Sequence, residues 1–296
     1  MIKLIIFTSF TGHFANNNHQ LQQLAGTWII IMLAAAILCF AVSEITQNYS
    51  QVDKLWSLMP IIYSLVTLVA FPTPRILLMT LLITAWGLRL SYNFGRKAGY
   101  SIIPWKGEED YRWKILRENP ALKGRIRFGL FNLFFISFYQ HFLILLFSTP
   151  LLIAAKYNSS NINLLDLFAA FLLLIFLTVE TIADNQLFRF HRMKKQGLKD
   201  GLYKESLEKG FMSEGLWRYS RHPNFASEQS IWLSFYLFSI AASGVWLNWT
   251  VIGAVLLIFL FAGSTYMTES ISSSKYPAYI IYQKNTAKFF PKFFRK

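Results

Sequence analysis

Apolar residues along this chain fall in blocks, without the alternation of a half-buried strand or the narrow stripe of a surface helix. Blocks of roughly 18 or more such residues are long enough to cross a hydrocarbon core as helices. Seven spans follow, at about Leu24–Val42, Leu55–Phe71, Ile76–Phe94, Phe128–Ala154, Leu164–Ala183, Phe225–Ala242 and Val245–Tyr266. The fourth is long enough to tilt, and the sixth is short and interrupted by polar residues. The pattern predicts an all-α polytopic membrane protein of about seven transmembrane helices. Residues 1–23 read as an N-terminal extension that only faintly resembles a signal peptide, and residues 24–296 as a single transmembrane domain.

Charge gives the spans a direction. The formal net charge is +14, and Lys and Arg lie between the apolar blocks. Spans three and four are separated by a segment rich in them, from Arg96 to Arg127; so are spans five and six, from Arg189 through Lys199 to Arg221. A third rich segment, with Lys275, Lys284, Lys288, Lys292, Arg295 and Lys296, follows the last span. With seven spans all three fall on one face, which the positive-inside rule places in the cytoplasm, with the N-terminus outside and the C-terminus inside. Trp246 and Trp249 then mark the outer interface, and Trp217 and Trp232 the inner one. Asn158-Ser-Ser and Asn248-Trp-Thr match the glycosylation triplet on the outer side.

Composition narrows the function. Only 15% of residues are charged against 54% hydrophobic, where a soluble domain carries about a quarter charged residues. No nucleic-acid motif accompanies the basic residues, so topology and anionic ligands, membrane lipid included, account for them and nucleic acid does not. Cys39 is the single cysteine, which excludes an intrachain disulfide and a Cys-based metal centre. No HExxH, serine elbow or glycine-rich phosphate loop occurs, and no metal is expected.

Ionisable residues at membrane depth are functional candidates because burying them is costly. Glu180 and Asp184 are four residues apart and share a helix face near the end of span five, with Arg189 and Arg192 following. In Gly215–Gln229, GLWRYSRHPNFASEQ, Pro223 suits a first helical turn. That puts Asn224 and Glu228 on one face, where they could hold an amide, hydroxyl or amine. Helix-start N–H groups with Arg218, Arg221 and His222 offer a pocket for phosphate or carboxylate. Glu269 lies just past span seven, and Tyr276, Tyr279 and Tyr282 form a stripe on a short interfacial helix that Pro277 starts. Earlier in the chain, Asp53 opens span two; Trp86, Arg89 and Tyr92 mark span three; Gln140 and His141 lie inside span four.

Five stretches, VDKLWS, WGLRLSYN, IADNQLFRFH, GLWRYSRHPNFASE and TESISSSKYPAYIIYQKNTAKFFP, occur in an order and spacing that resemble the steroid 5α-reductase-like superfamily over roughly Gln51 to Pro291. The resemblance is to its broad branch of unknown-function proteins. It implies a seven-helix bundle whose cofactor half is about 164–296, and NADPH-dependent reduction of a C=C bond conjugated to a ketone in a lipophilic substrate (sterol, acyl or isoprenoid in type). By the same resemblance Asp184, Arg189, Arg218, Tyr219, Arg221, His222, Asn224, Glu228, Glu269, Lys275, Tyr276 and Tyr279 line the cofactor site. Asn224 and Glu228 hold the nicotinamide carboxamide, Asp53, Tyr92 and Glu228 are the catalytic candidates, and Trp86, Arg89, Gln140 and Glu180 belong to the substrate pocket. The reductases' span-three tyrosine falls on Trp86 here, with Tyr92 about two turns on, a departure that weighs against a steroid-type substrate. The related isoprenylcysteine carboxyl methyltransferases, which bind S-adenosylmethionine, share Arg221-His222-Pro223 and Phe225. They carry paired acids where this chain has Glu269 followed by serines, which makes them the alternative. A third class is a non-enzymatic lipid binder that keeps the fold.

Overall fold

A computed structural model describes residues 2–103, 105–158, 161–198 and 201–291. Lys199, Lys292, Arg295 and Lys296 of the basic segments, and Ser159-Ser160 of the first glycosylation triplet, lie outside the described residues. The elements in chain order are α1 (Ile2–Thr46), α2 (Gln51–Trp56), α3 (Leu58–Ala70), α4 (Pro74–Gly95), α5 (Tyr111–Glu118) and α6 (Arg125–Phe131). A π-helical stretch, Asn132–Tyr139, leads into α7 (Gln140–Ser148) and α8 (Pro150–Lys156). Then come α9 (Leu164–Lys195), α10 (Lys204–Lys209), a 3-10 turn at Gly215–Arg218, α11 (Pro223–Ser243), α12 (Val251–Lys275) and α13 (Ala278–Asn285). The described residues contain no strand, and the one isolated bridge pairs Ser220 with Ala287.

Among the described residues, six helical stretches are long and apolar enough to cross a membrane: Asn17–Thr46, Gln51–Ala70, Pro74–Gly95, Arg125–Lys156, Leu164–Lys195 and Val251–Lys275. The chain is an all-α, integral, multi-pass membrane protein. The expected count of seven differs by one because α11, which carries the predicted sixth span, is long enough but holds Glu228, Gln229 and a row of serines. Those serines return their hydroxyls to the backbone one turn earlier, as Ser227 does to Pro223 O, Ser230 to Ala226 O and Ser234 to Ser230 O. A helix can therefore bury them without orphaned polar groups.

Local chemistry sets the element ends. Thr73 caps α4, its hydroxyl accepting from Ile76 N, and Pro74 occupies the first turn, where its missing N–H does no harm. Asp110 caps α5 by accepting from Arg112 N at 2.9 Å. The π-helical stretch stacks Phe131 on Phe135 and Phe135 on Tyr139, with centroids 5.0 and 5.3 Å apart.

The chain forms two compact units. The first comprises residues 1–167 and 236–253. Its interior holds a bidentate ion pair: Arg75 Nε and Nη2 each donate to an Asp166 oxygen at 2.8 Å, and Nη2 also donates to Asn161 O at 2.7 Å. Both side chains are buried. Close backbone approach is made possible by glycine: a Cβ on Gly253 would stand 2.4 Å from the backbone of Leu146 and Phe147, and one on Gly87 would stand 2.6 Å from Ser57 O. The second unit comprises residues 168–235 and 254–296. Phe190, Tyr203, Met212 and Trp217 form a buried apolar cluster there, with Leu187, Met193 and Leu207 packed against it.

Candidate functional site

The second unit gathers most of the residues singled out for cofactor binding. Glu180 and Asp184, one turn apart on α9, are both buried. Asn224, in the first turn of α11, donates from Nδ2 to Asp184 Oδ1 at 3.1 Å. Its own carbonyl oxygen is buried and accepts no hydrogen bond from the described residues. One turn further along α11, the buried Glu228 accepts from Trp232 Nε1 at 2.9 Å. Three carboxylates and a side-chain amide with an unused acceptor thus stand on the first turns of α11 and on α9.

Glu269, 7% exposed on α12, is the hub of a second cluster. It accepts from Arg221 Nε at 2.7 Å and Nη2 at 3.3 Å, from His222 Nε2 at 2.9 Å and from Gln283 Nε2 at 3.1 Å. Because a carboxylate only accepts, His222 carries its proton on Nε2. Arg221 Nη1 donates to Gln283 O at 2.7 Å and to Thr286 O. The tail closes the arrangement, with Arg221 N donating to Ala287 O at 2.8 Å and His222 N to Lys288 O at 3.1 Å. Arg221 and His222, expected to face an external anion, are held instead by an internal carboxylate and by tail carbonyls. Of the other residues singled out for an anionic ligand, Arg189, Arg218 and Lys275 are exposed, and so is Tyr219 beside Arg218 in the chain.

The tyrosine stripe has an internal counterpart. Phe211 meets Tyr276, Tyr279 and Tyr282 with centroids 5.9, 5.0 and 5.3 Å apart, and Tyr282 OH donates to Trp217 O. Burial pushes the Tyr279 and Tyr282 hydroxyls up in pKa. At Tyr276 burial also works upward, but Lys194, donating to the phenol oxygen at 2.8 Å, and Lys275 together bring it below the ordinary tyrosine value. Trp217 and Trp232 do not form the expected inner aromatic belt. Both are buried, Trp217 donating to Ala183 O at 3.2 Å and Trp232 to Glu228. Trp246 and Trp249 are exposed.

The remaining candidates lie in the first unit. Asp53 accepts from Trp113 Nε1 at 3.0 Å. Trp86 and Gln140 are buried and Arg89 is half-buried. Tyr92 is 69% exposed, its ring under the Arg96 guanidinium at 5.6 Å. His141 sits against Ser137 O at 2.7 Å through Nδ1 and against Cys39 Sγ at 3.8 Å through Nε2. Sequence reasoning did not pick out Gln283, Lys194 or Phe211. Gln283 falls in the tail stretch already quoted and was a signal available there; the other two carry none beyond composition.

Residues 39–286 match the family described as a protein of unknown function, DUF1295. The chain belongs to this family. The matched span of the DUF1295 domain takes in Asp53, Asp184, Asn224, Glu228 and Glu269 and stops one residue short of Ala287. The chain is also similar to the uncharacterized protein C594.04c of Schizosaccharomyces pombe, at 37% identity over 266 residues, covering 86% of this chain and 75% of the yeast protein. No solved structure matches the chain.

Proposed function

We propose that this DUF1295 protein is a membrane-embedded oxidoreductase that uses NADPH to reduce a C=C bond of a lipophilic substrate, with its N-terminus outside and its C-terminus in the cytoplasm. The observation that carries the reading is the Asp184–Asn224 pair. Asp184 holds the amide nitrogen of Asn224, which leaves the buried carbonyl Oδ1 as an acceptor for the NH2 of a carboxamide. Glu228, on the same helix face, supplies a second acceptor. The resemblance to the steroid 5α-reductase-like superfamily, in which this residue pattern holds the nicotinamide end, supports the same assignment.

Bound NADPH would supply a hydride. Asn224 and Glu228 orient the carboxamide, and the exposed Arg189, Arg218 and Lys275 are the residues for its phosphates. Arg221 and His222 shape the site through Glu269 without touching those phosphates. The basic segments support the orientation through the positive-inside rule.

The test is ligand-dependent unfolding of the purified protein in detergent. NADPH at about a hundredfold over its Kd should stabilise the fold by about 2.7 kcal/mol, and Asn224→Leu should remove the effect. Stabilisation by S-adenosylmethionine with none from NADPH would overturn the reading.

A further inference from the structure

We propose that the first unit holds a binding site for the carbonyl oxygen of an uncharged lipophilic molecule, formed by Trp28 Nε1–H on α1 and Tyr63 O–H on α3. Both side chains are buried, at 1% and 0% exposure. Neither donor has a partner among the described residues. The rings stack with centroids 4.7 Å apart and planes 29° from parallel, so the two donors share one neighbourhood of the bundle.

Two orphan donors on stacked rings of neighbouring spans are unusual, because an apolar medium offers no water to meet them. The surrounding hydroxyls show how this unit treats polar groups otherwise. Ser64 donates to Ile61 O at 2.9 Å, Thr67 to Tyr63 O at 2.8 Å and Thr80 to Ser64 O at 3.3 Å. Trp28 and Tyr63 are indole and phenol donors whose polar atoms stand too far from their own backbone for that solution. A carbonyl oxygen has two lone pairs and can accept from both at once.

Charge and shape narrow the ligand class. A carboxylate or phosphate would need a cation, and the buried cations described in this unit are engaged elsewhere: Arg75 is bidentate on Asp166, and Lys54 Nζ donates to Gln51 Oε1 at 3.1 Å and to Lys106 O at 2.7 Å. The group is therefore neutral: a ketone, aldehyde or ester. Leu24 and Met32 lie one turn either side of Trp28, and Met59 and Thr67 one turn either side of Tyr63, all buried. Methionines adapt to irregular apolar shapes. The site stands independently of NADPH, since it needs only the two donors.

Benzophenone, an apolar ketone that crosslinks to nearby C–H bonds under ultraviolet light, is the probe. The full chain is labelled in nanodiscs of ester-linked and of ether-linked lipid, and the adducts are mapped by mass spectrometry. Labelling of peptides containing Trp28 or Tyr63, weakened about tenfold by Tyr63→Phe and by Trp28→Phe, is expected for loss of one hydrogen bond to a buried acceptor. Equal labelling in both lipids assigns the site to a free carbonyl compound, and labelling confined to ether-linked lipid assigns it to the ester of a bilayer lipid. As a second readout, Tyr63→Phe in ether-linked lipid without probe should unfold at a temperature no lower than the parent, because it deletes an unmet donor. Labelling that ignores both substitutions, or a clear drop in the Tyr63→Phe midpoint without probe, overturns the proposal.

Discussion

Glu269→Ala tests the tail-anchoring cluster most severely. The substitution removes the acceptor for two Arg221 nitrogens, for His222 Nε2 and for Gln283 Nε2. Breaking a buried ion pair by removing one partner costs about 3–5 kcal/mol. The lower end applies here, because Arg221 is about one-tenth exposed and keeps its bonds to Gln283 O and Thr286 O. A loss of about 3 kcal/mol corresponds to a fall of roughly 6–12 °C in the unfolding midpoint. Glu269→Gln keeps one acceptor oxygen and should lose about half as much. Intrinsic fluorescence during thermal unfolding in detergent reads the midpoint. Limited trypsin digestion reads the tail separately, because Lys284 and Lys288 are exposed and should be cut sooner once Gln283 and the Arg221 clamp are released. A Glu269→Ala midpoint within about 1 °C of the parent, with unchanged digestion, would refute the reasoning.

Three further outcomes follow from the fold. Arg75→Met or Asp166→Leu alone should destabilise by about 3–5 kcal/mol, while the double substitution Arg75→Met with Asp166→Leu recovers most of the loss, as a double-mutant cycle would measure. Gly253→Val has no room against the Leu146–Phe147 backbone and should lower folded yield in membranes, whereas Gly263→Ala, which meets nothing within 4 Å, should be neutral. Burial works against the Asp110 carboxylate, but Arg112's charge and hydrogen bonds hold its pKa below the ordinary aspartate value. Its contribution is therefore full above the unfolded pKa of about 3.9 and is lost as pH falls below it; Asp110→Asn should flatten the stability profile in that acidic window when denaturation is followed against pH.

The membrane spans were legible because their signal is local: long apolar runs bounded by basic loops need no knowledge of partners. The helix start at Pro223 and the shared faces of Glu180 with Asp184 and Asn224 with Glu228 were legible for the same reason, since helical periodicity fixes them. The structure extends α9 to Lys195, which places Asp184 and Arg192 on a single element. What the pattern did not reveal depends on contacts distant in sequence. Arg221 reads as a free cation until Glu269, 48 residues on, and Thr286, 65 residues on, are seen to hold it. Trp217 and Trp232 read as belt residues because composition does not say which tryptophan finds a buried acceptor. The π-helical stretch inside the fourth span leaves no mark in apolar composition. Trp28 and Tyr63 look like ordinary span residues until both donors prove to be unmet.

Deuterium tracing tests the central claim most directly. Membranes enriched in the full chain are incubated with NADPH carrying deuterium at the transferable position of its nicotinamide ring, and the lipid extract is compared by mass spectrometry with that from the Asn224→Leu variant. The reductase reading predicts a lipid that gains one deuterium from the cofactor and one hydrogen from solvent across a former C=C bond, absent in the variant. No deuterated product at saturating NADPH, alongside methyl transfer from labelled S-adenosylmethionine, would contradict it.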